Sequence, residues 1–184
     1  MPSLFSKWFQ FFRKTPSSSS KTPADLGKHY LQLRDQIIGV TAEQLGPLSS
    51  QPVWAVLMET GYPDMVVTLF AGVDGATSLY FSNGGGIIGA GEHENVRPAA
   101  LGLVREAGQF RATMEKVDSF PLPAPDDTRF YVCTPDGVYS SQAKEDDLAN
   151  NRDPLSPLFY AGHELISQVR IMDEKRRAED SGSA

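Results

Sequence analysis

Between Val53 and Ser82, three short runs rich in β-branched and aromatic residues are separated by only a few residues of turn chemistry. Gly61-Tyr62-Pro63-Asp64 parts the run Val53–Glu59 from Met65–Ala71, and Asp74-Gly75 parts that from Ser78–Ser82. This spacing constrains the fold more than any other feature of the chain. A parallel crossover needs a dozen or more residues, so connections this short predict antiparallel neighbours. Val53–Glu59 is apolar at both alternating sets of positions, as expected of a strand covered on two sides in the middle of a sheet.

Helical periodicity flanks this meander. Thr22, Pro23 and Asp25 suit the cap, first position and first turn of a helix. Leu26, Tyr30, Leu33 and Ile37 then recur at helical spacing, and either Gly39 or Gly46-Pro47 ends it. After the glycine-rich stretch Gly84–Gly91, the residues Val96, Ala99, Ala100, Leu103, Ala107, Phe110 and Met114 form an apolar stripe. Pro98 is tolerated only in the first turn, which places the start of this helix near Glu94. Pro121, Pro123 and Pro125 space a loop. Arg129–Thr134 and Val138–Ser141 read as a hairpin around Pro135-Asp136-Gly137, and Leu155, Leu158, Phe159, Gly162, Ile166, Val169 and Met172 mark a last helix.

The expected fold is therefore α+β, in the order α-βββ-α-ββ-α. The antiparallel sheet has five strands, or six if Ser119–Leu122 is extended, with helices on one or both faces. This order is loosely similar to that of profilin-like, roadblock and longin domains. The likeness is one of topology, without a shared motif, and a fold does not imply a function. The chain divides into an amphipathic helix at 1–14, a Ser-rich linker at 15–21, a single domain at 22–172 and a charged tail at 173–184. A body of about 150 residues buries enough surface to need no covalent staple.

Charge is distributed unevenly. The chain has 17 basic and 23 acidic residues, net −6, and its only charged side chains before Lys21 are Lys7, Arg13 and Lys14. The body is thus more acidic than the whole, which argues against nucleic acid as a partner, because phosphate neutralisation needs clustered cations. Cys133 is the single cysteine, which fits a reducing, cytoplasmic compartment.

On a helical wheel at about 100° per residue, Leu4, Phe5, Trp8, Phe9, Phe11 and Phe12 fall in one arc of about 160°. Ser3, Ser6, Lys7, Gln10, Arg13 and Lys14 occupy the opposite arc. About fourteen helical residues span roughly 20 Å, too short to cross a hydrocarbon core of about 30 Å. Lys7 and Gln10 interrupt the apolar run that a signal peptide requires. A basic amphipathic segment with Trp and Phe can lie at an anionic membrane surface, in the groove of a partner protein, or on the chain's own domain. The Ser17–Ser20 tether favours the first two.

Candidate chemistry is sparse. Gly84, Gly86 and Gly89 match G-x-G-x-x-G, and with Gly85, Gly91 and His93 they form the one candidate ligand-binding stretch. It follows the third strand of a meander instead of opening a βαβ unit, and Glu92 and Glu94 would repel an anion there. Asn83-Gly84 is also a strong hairpin turn signal. His93-Glu94 and His163-Glu164 begin like the zinc motif H-E-x-x-H but carry Arg97 and Ser167 at the fifth position, so neither metal nor cofactor is expected. Cys133 reads as a small buried hydrophobe, and Glu145-Asp146-Asp147 as a solvated helix start.

These features give three readings of function. The first is a non-enzymatic cytoplasmic interaction domain tethered reversibly to a membrane or a partner through residues 1–14. The second is a small-ligand or phosphate-binding domain using Gly84–Gly91. The third is an immunity-type neutralising partner, for which an acidic body suits a basic target. Self-association into a homo-oligomer and a catalytic site assembled from distant residues both stay open.

Overall fold

The structure, a computed structural model, describes residues 23–182, apart from the side chains of residues 23–26, 42, 180 and 182. Strands β1 (Ala55–Gly61), β2 (Val66–Gly72) and β3 (Thr77–Phe81) form the expected meander, each starting or ending within about two residues of the periodic run. Leu57 lies opposite Phe70, and Phe70 opposite Ser78. The chain turns at Asn83-Gly84 and adds β4 (Gly86–Ile88) outside β3. It then crosses to the far edge and forms β5 (Glu115–Val117). The hairpin β6 (Asp127–Thr134) and β7 (Gly137–Lys144) fills the gap between β1 and β5.

The result is a single antiparallel sheet of seven strands, ordered β4-β3-β2-β1-β6-β7-β5. The expectation of five or six strands is corrected. Ser119–Leu122 is not a strand, and the extra pieces are the three-residue edges β4 and β5, too short to show a period of two. Short edges also limit pairing with other chains. β1, the middle strand, is buried along its whole length, as its apolar pattern on both faces required.

Helix α1 (Pro23–Ile38) ends at Gly39, whose N–H bonds the Asp35 carbonyl at 2.8 Å. Thr41 and Gln44 then form a capping box that starts the short helix α2 (Ala42–Leu45). Helix α3 (Val96–Phe110) begins two residues later than expected, with Pro98 in its first turn; Met114 lies beyond it but is buried. A short acidic helix, α4 (Glu145–Ala149), precedes α5 (Ser156–Gly182), which continues through the charged residues after Met172. There the Asp173 carboxylate accepts hydrogen bonds from Arg176 at 2.6 Å and Arg177 at 2.8 Å.

The helices cover both faces of the sheet. Helices α3 and α5 pack Ala100, Leu103, Val104, Ala107, Leu158, Leu165 and Val169 against Val56, Met58, Leu69, Leu79, Phe130 and Val132. On the other face Tyr30, Ile37 and Ile38 of α1, with Leu45 and Trp54, meet Leu57, Phe70, Tyr80, Tyr131 and Cys133. Each large side chain removed from water in this way contributes about 1.5–3 kcal/mol. No helix among the described residues is long and apolar enough to cross a membrane.

Candidate functional site

The most unusual chemistry in the described chain lies in the layer between α1 and the sheet. Tyr30, Arg34 and Ile37 share the inward stripe of α1, so Arg34 is carried into the core by the same spacing that buries its apolar neighbours. Glu59 on β1 meets it there. The guanidinium donates from Nε to Oε1 at 2.7 Å and from Nη2 to Oε2 at 2.9 Å, in a bidentate pair with both residues almost inaccessible. The Thr68 hydroxyl donates to Glu59 Oε1 at 3.1 Å, which leaves its oxygen to accept from Tyr30 at 2.7 Å.

Aromatic rings enclose this group. The Arg34 guanidinium carbon stands 5.3 Å from the centroid of Tyr131, and Tyr30 meets Tyr80 edge-on at 5.7 Å. A proline-spaced strap between β5 and β6 closes one side. Phe120 packs edge-on to Tyr131, whose hydroxyl donates to the Pro121 carbonyl at 2.6 Å. Burial disfavours the Arg34 cation, but its hydrogen bonds and attraction to Glu59 outweigh this and raise its pKa. Burial, reinforced by the Glu59 charge, raises the pKa of Tyr30 and holds that of Tyr80 well above the ordinary tyrosine value. Arg34 thus stays charged and the Tyr30 and Tyr80 phenols protonated, and the Glu59 oxygens already have donors. The arrangement ties a helix to a sheet through charge.

A second cluster lies where the β1–β2 turn, the start of α4 and the first half of α5 converge. Tyr62 donates to Glu145 Oε1 at 3.0 Å, and burial beside this carboxylate pushes the Tyr62 phenol up to about 12. Half-buried His163 packs on Phe159 at a tilt, with ring centroids 4.2 Å apart. Burial lowers its pKa against the opposing pull of Glu145, and its Nε2 is buried with no hydrogen-bond partner among the described residues.

The glycine-rich stretch is spread over three local structures. Gly84 and Gly85 make the turn between β3 and β4 with φ of 106° and 85°, and the Gly84 N–H is used on the Phe81 carbonyl. Gly86 lies in β4 opposite Tyr80, and Gly89 takes a left-handed conformation before the single turn Ala90–Glu92, where Gly91 is buried. His93 is exposed; its N–H bonds Ala90, and its carbonyl accepts from Val96 and Arg97 at the head of α3. Cys133 is fully buried, and its thiol is pushed up to about 12 by burial. Among the described residues, no group of three His, Cys, Asp or Glu side chains is placed to hold a metal ion. The membrane or partner candidates Leu4, Phe5, Lys7, Trp8, Phe9, Phe11, Phe12, Arg13 and Lys14 lie outside the described residues.

The Arg34–Glu59 pair was missed in the sequence, although a signal existed. Arg34 stands on the apolar stripe of its helix, four residues after Tyr30 and three before Ile37, and Glu59 is the one charge in a strand apolar on both faces. Comparison of the chain with protein-family models, with curated proteins and with solved structures gives no match.

Proposed function

We propose that the chain is a non-enzymatic interaction domain, held reversibly at an anionic membrane surface by residues 1–14. The observation that carries this reading is the division of Ser3–Lys14 into an arc of Leu4, Phe5, Trp8, Phe9, Phe11 and Phe12 and an opposite arc bearing Lys7, Arg13 and Lys14. Helices of the body cover both faces of its sheet, and the Ser17–Ser20 run separates that body from the arc along the chain. Its buried ionic cluster is engaged in holding α1, and the Gly84 amide of the glycine loop is engaged in a hairpin.

Magnitudes favour reversible attachment. Three cations near an anionic leaflet contribute about 1 kcal/mol each. Half-burying six large apolar side chains adds on the order of 5–9 kcal/mol before the cost of ordering a short helix. Co-sedimentation with vesicles containing phosphatidylserine tests the reading. The full chain binds, binding falls with added salt, and it is lost without residues 1–20 or with Trp8→Asp and Phe9→Asp together. Equal sedimentation of all forms, or none by the full chain, rejects the membrane and gives the partner groove first place.

A further inference from the structure

The two faces of the sheet differ in chemistry. Toward α3 and α5 the central strands present Val56, Met58, Leu69, Leu79, Phe130 and Val132, with Thr60 and Thr128 bonded to each other at 3.0 Å. Toward α1 the register places Glu59, Thr68, Ser78, Tyr80, Arg129 and Ser140 among the apolar residues. On this face Ser78 Oγ, Tyr80 OH, Arg129 Nε and Ser140 Oγ are buried with no hydrogen-bond partner among the described residues. We propose that α1 is a hinged cover, which swings off the sheet as a unit about Gly39-Val40, with the Arg34–Glu59 pair as its latch.

The physical case has three parts. Separating a buried ion pair returns both charges to water, so much of the attraction lost is offset by recovered hydration. Opening also hydrates the Tyr80 hydroxyl, buried beside Tyr30 of α1 without a partner among the described residues, and its burial opposes closure. Exposed Gly39 ends α1, and Leu45, buried just beyond it, anchors the chain on the fixed side of the hinge. Leu33, Ile37 and Ile38 supply the apolar attraction that keeps the closed form dominant. Departure of α3 and α5 would instead expose a face of Val56, Met58, Leu69, Phe130 and Val132 whose buried hydroxyls, Thr60 and Thr128, already bond each other.

Hydrogen exchange of the full chain, read by mass spectrometry across a series of low urea concentrations, tests this. Amides of α1 are expected to exchange about tenfold or more faster than those of β1 and β6, with one shared, non-zero urea dependence. Replacing the latch by an apolar pair, Arg34→Met with Glu59→Leu, is expected to slow exchange in α1 selectively. Exchange of α1 together with β1 and β6 overturns the proposal. So does fast exchange without urea dependence, which marks fraying, and so does a double variant that changes every element equally. The wild-type series alone decides if the double variant does not fold.

Discussion

Arg34 and Glu59 occupy core positions that apolar side chains would also fill, and this makes their energetics asymmetric. Removing one partner leaves the other charged and buried, so Arg34→Ala or Glu59→Gln is expected to cost about 3–5 kcal/mol. The double replacement Arg34→Met with Glu59→Leu is expected to be neutral or stabilising, because it removes both desolvation penalties. Urea unfolding of the four proteins measures this, and single-variant costs below about 0.5 kcal/mol would be those of a surface pair. His163 gives a prediction in pH. Its pKa is lowered in the fold by burial from an ordinary value of 6.5, with Glu145 opposing. Below about 6.5 the unfolded chain therefore takes up a proton that the folded chain refuses, so this contribution to stability is present above that pH and declines as pH falls toward the folded pKa. Thermal melts between pH 7.5 and about 5 are expected to fall more steeply for the wild type than for His163→Gln; parallel curves would remove His163 from the account. At this scale the sequence was only partly legible. Cys133 as a buried hydrophobe followed from its strand, whereas the Arg34–Glu59 contact depends on how far α1 rotates over β1, which local periodicity does not specify.

Elements were legible in proportion to their length and chemistry. β1 to β3 and β6 carry β-branched and aromatic residues bounded by Gly, Pro and Asp and are found within about two residues of their periodic runs, whereas β7 continues three residues past Ser141. β4 and β5 were not legible. Gly86-Ile87-Ile88 is too short to alternate and lies inside a glycine run, and Glu115-Lys116-Val117 reads as a charged loop until β7 is there to pair with it. Ser119–Leu122 misled because Phe120 packs inward as a strand residue would, although its backbone belongs to the strap. The Asn83-Gly84 turn signal is found as the β3–β4 hairpin, and the structure separates two reasons for the glycines that follow. Gly85 has φ of 85° with open space around a would-be Cβ, whereas a Cβ on Gly91 would run into the Gly75 carbonyl oxygen. Gly85→Ala is therefore expected to cost only the left-handed backbone penalty of about 1 kcal/mol. Gly91→Ala forces two loops apart and is expected to cost more, on the order of 2–4 kcal/mol. Equal costs in chemical denaturation would mean that the Ala90–Glu92 turn moves aside freely.

For the molecule as a whole, the question is whether residues 1–20 belong to the fold or are attached to it. Ser17–Ser20 and the helix start at Thr22-Pro23 place a tether between the body and the amphipathic arc. A chain beginning at Lys21 is therefore expected to melt within about 4 °C of the full chain, which for this size corresponds to roughly 1 kcal/mol. The alternative predicts a very different number. If the arc of Leu4, Phe5, Trp8, Phe9, Phe11 and Phe12 were seated on the body with half of its surface buried, about 5–9 kcal/mol of apolar contact would be lost on truncation. At about 2–4 °C per kcal/mol the melting temperature would then drop by roughly 10–36 °C, less the part offset by the cost of ordering the segment. The outcomes are far enough apart for a single calorimetric comparison to separate them, and the result bears directly on attachment. An arc that contributes to stability is occupied in the folded chain and must leave the body before it can enter a membrane or a groove, so its binding would be opposed by that same free energy. An arc that contributes nothing is free to bind. In that case the shortened chain keeps its melting temperature and loses vesicle binding, a combination that a packed head cannot produce.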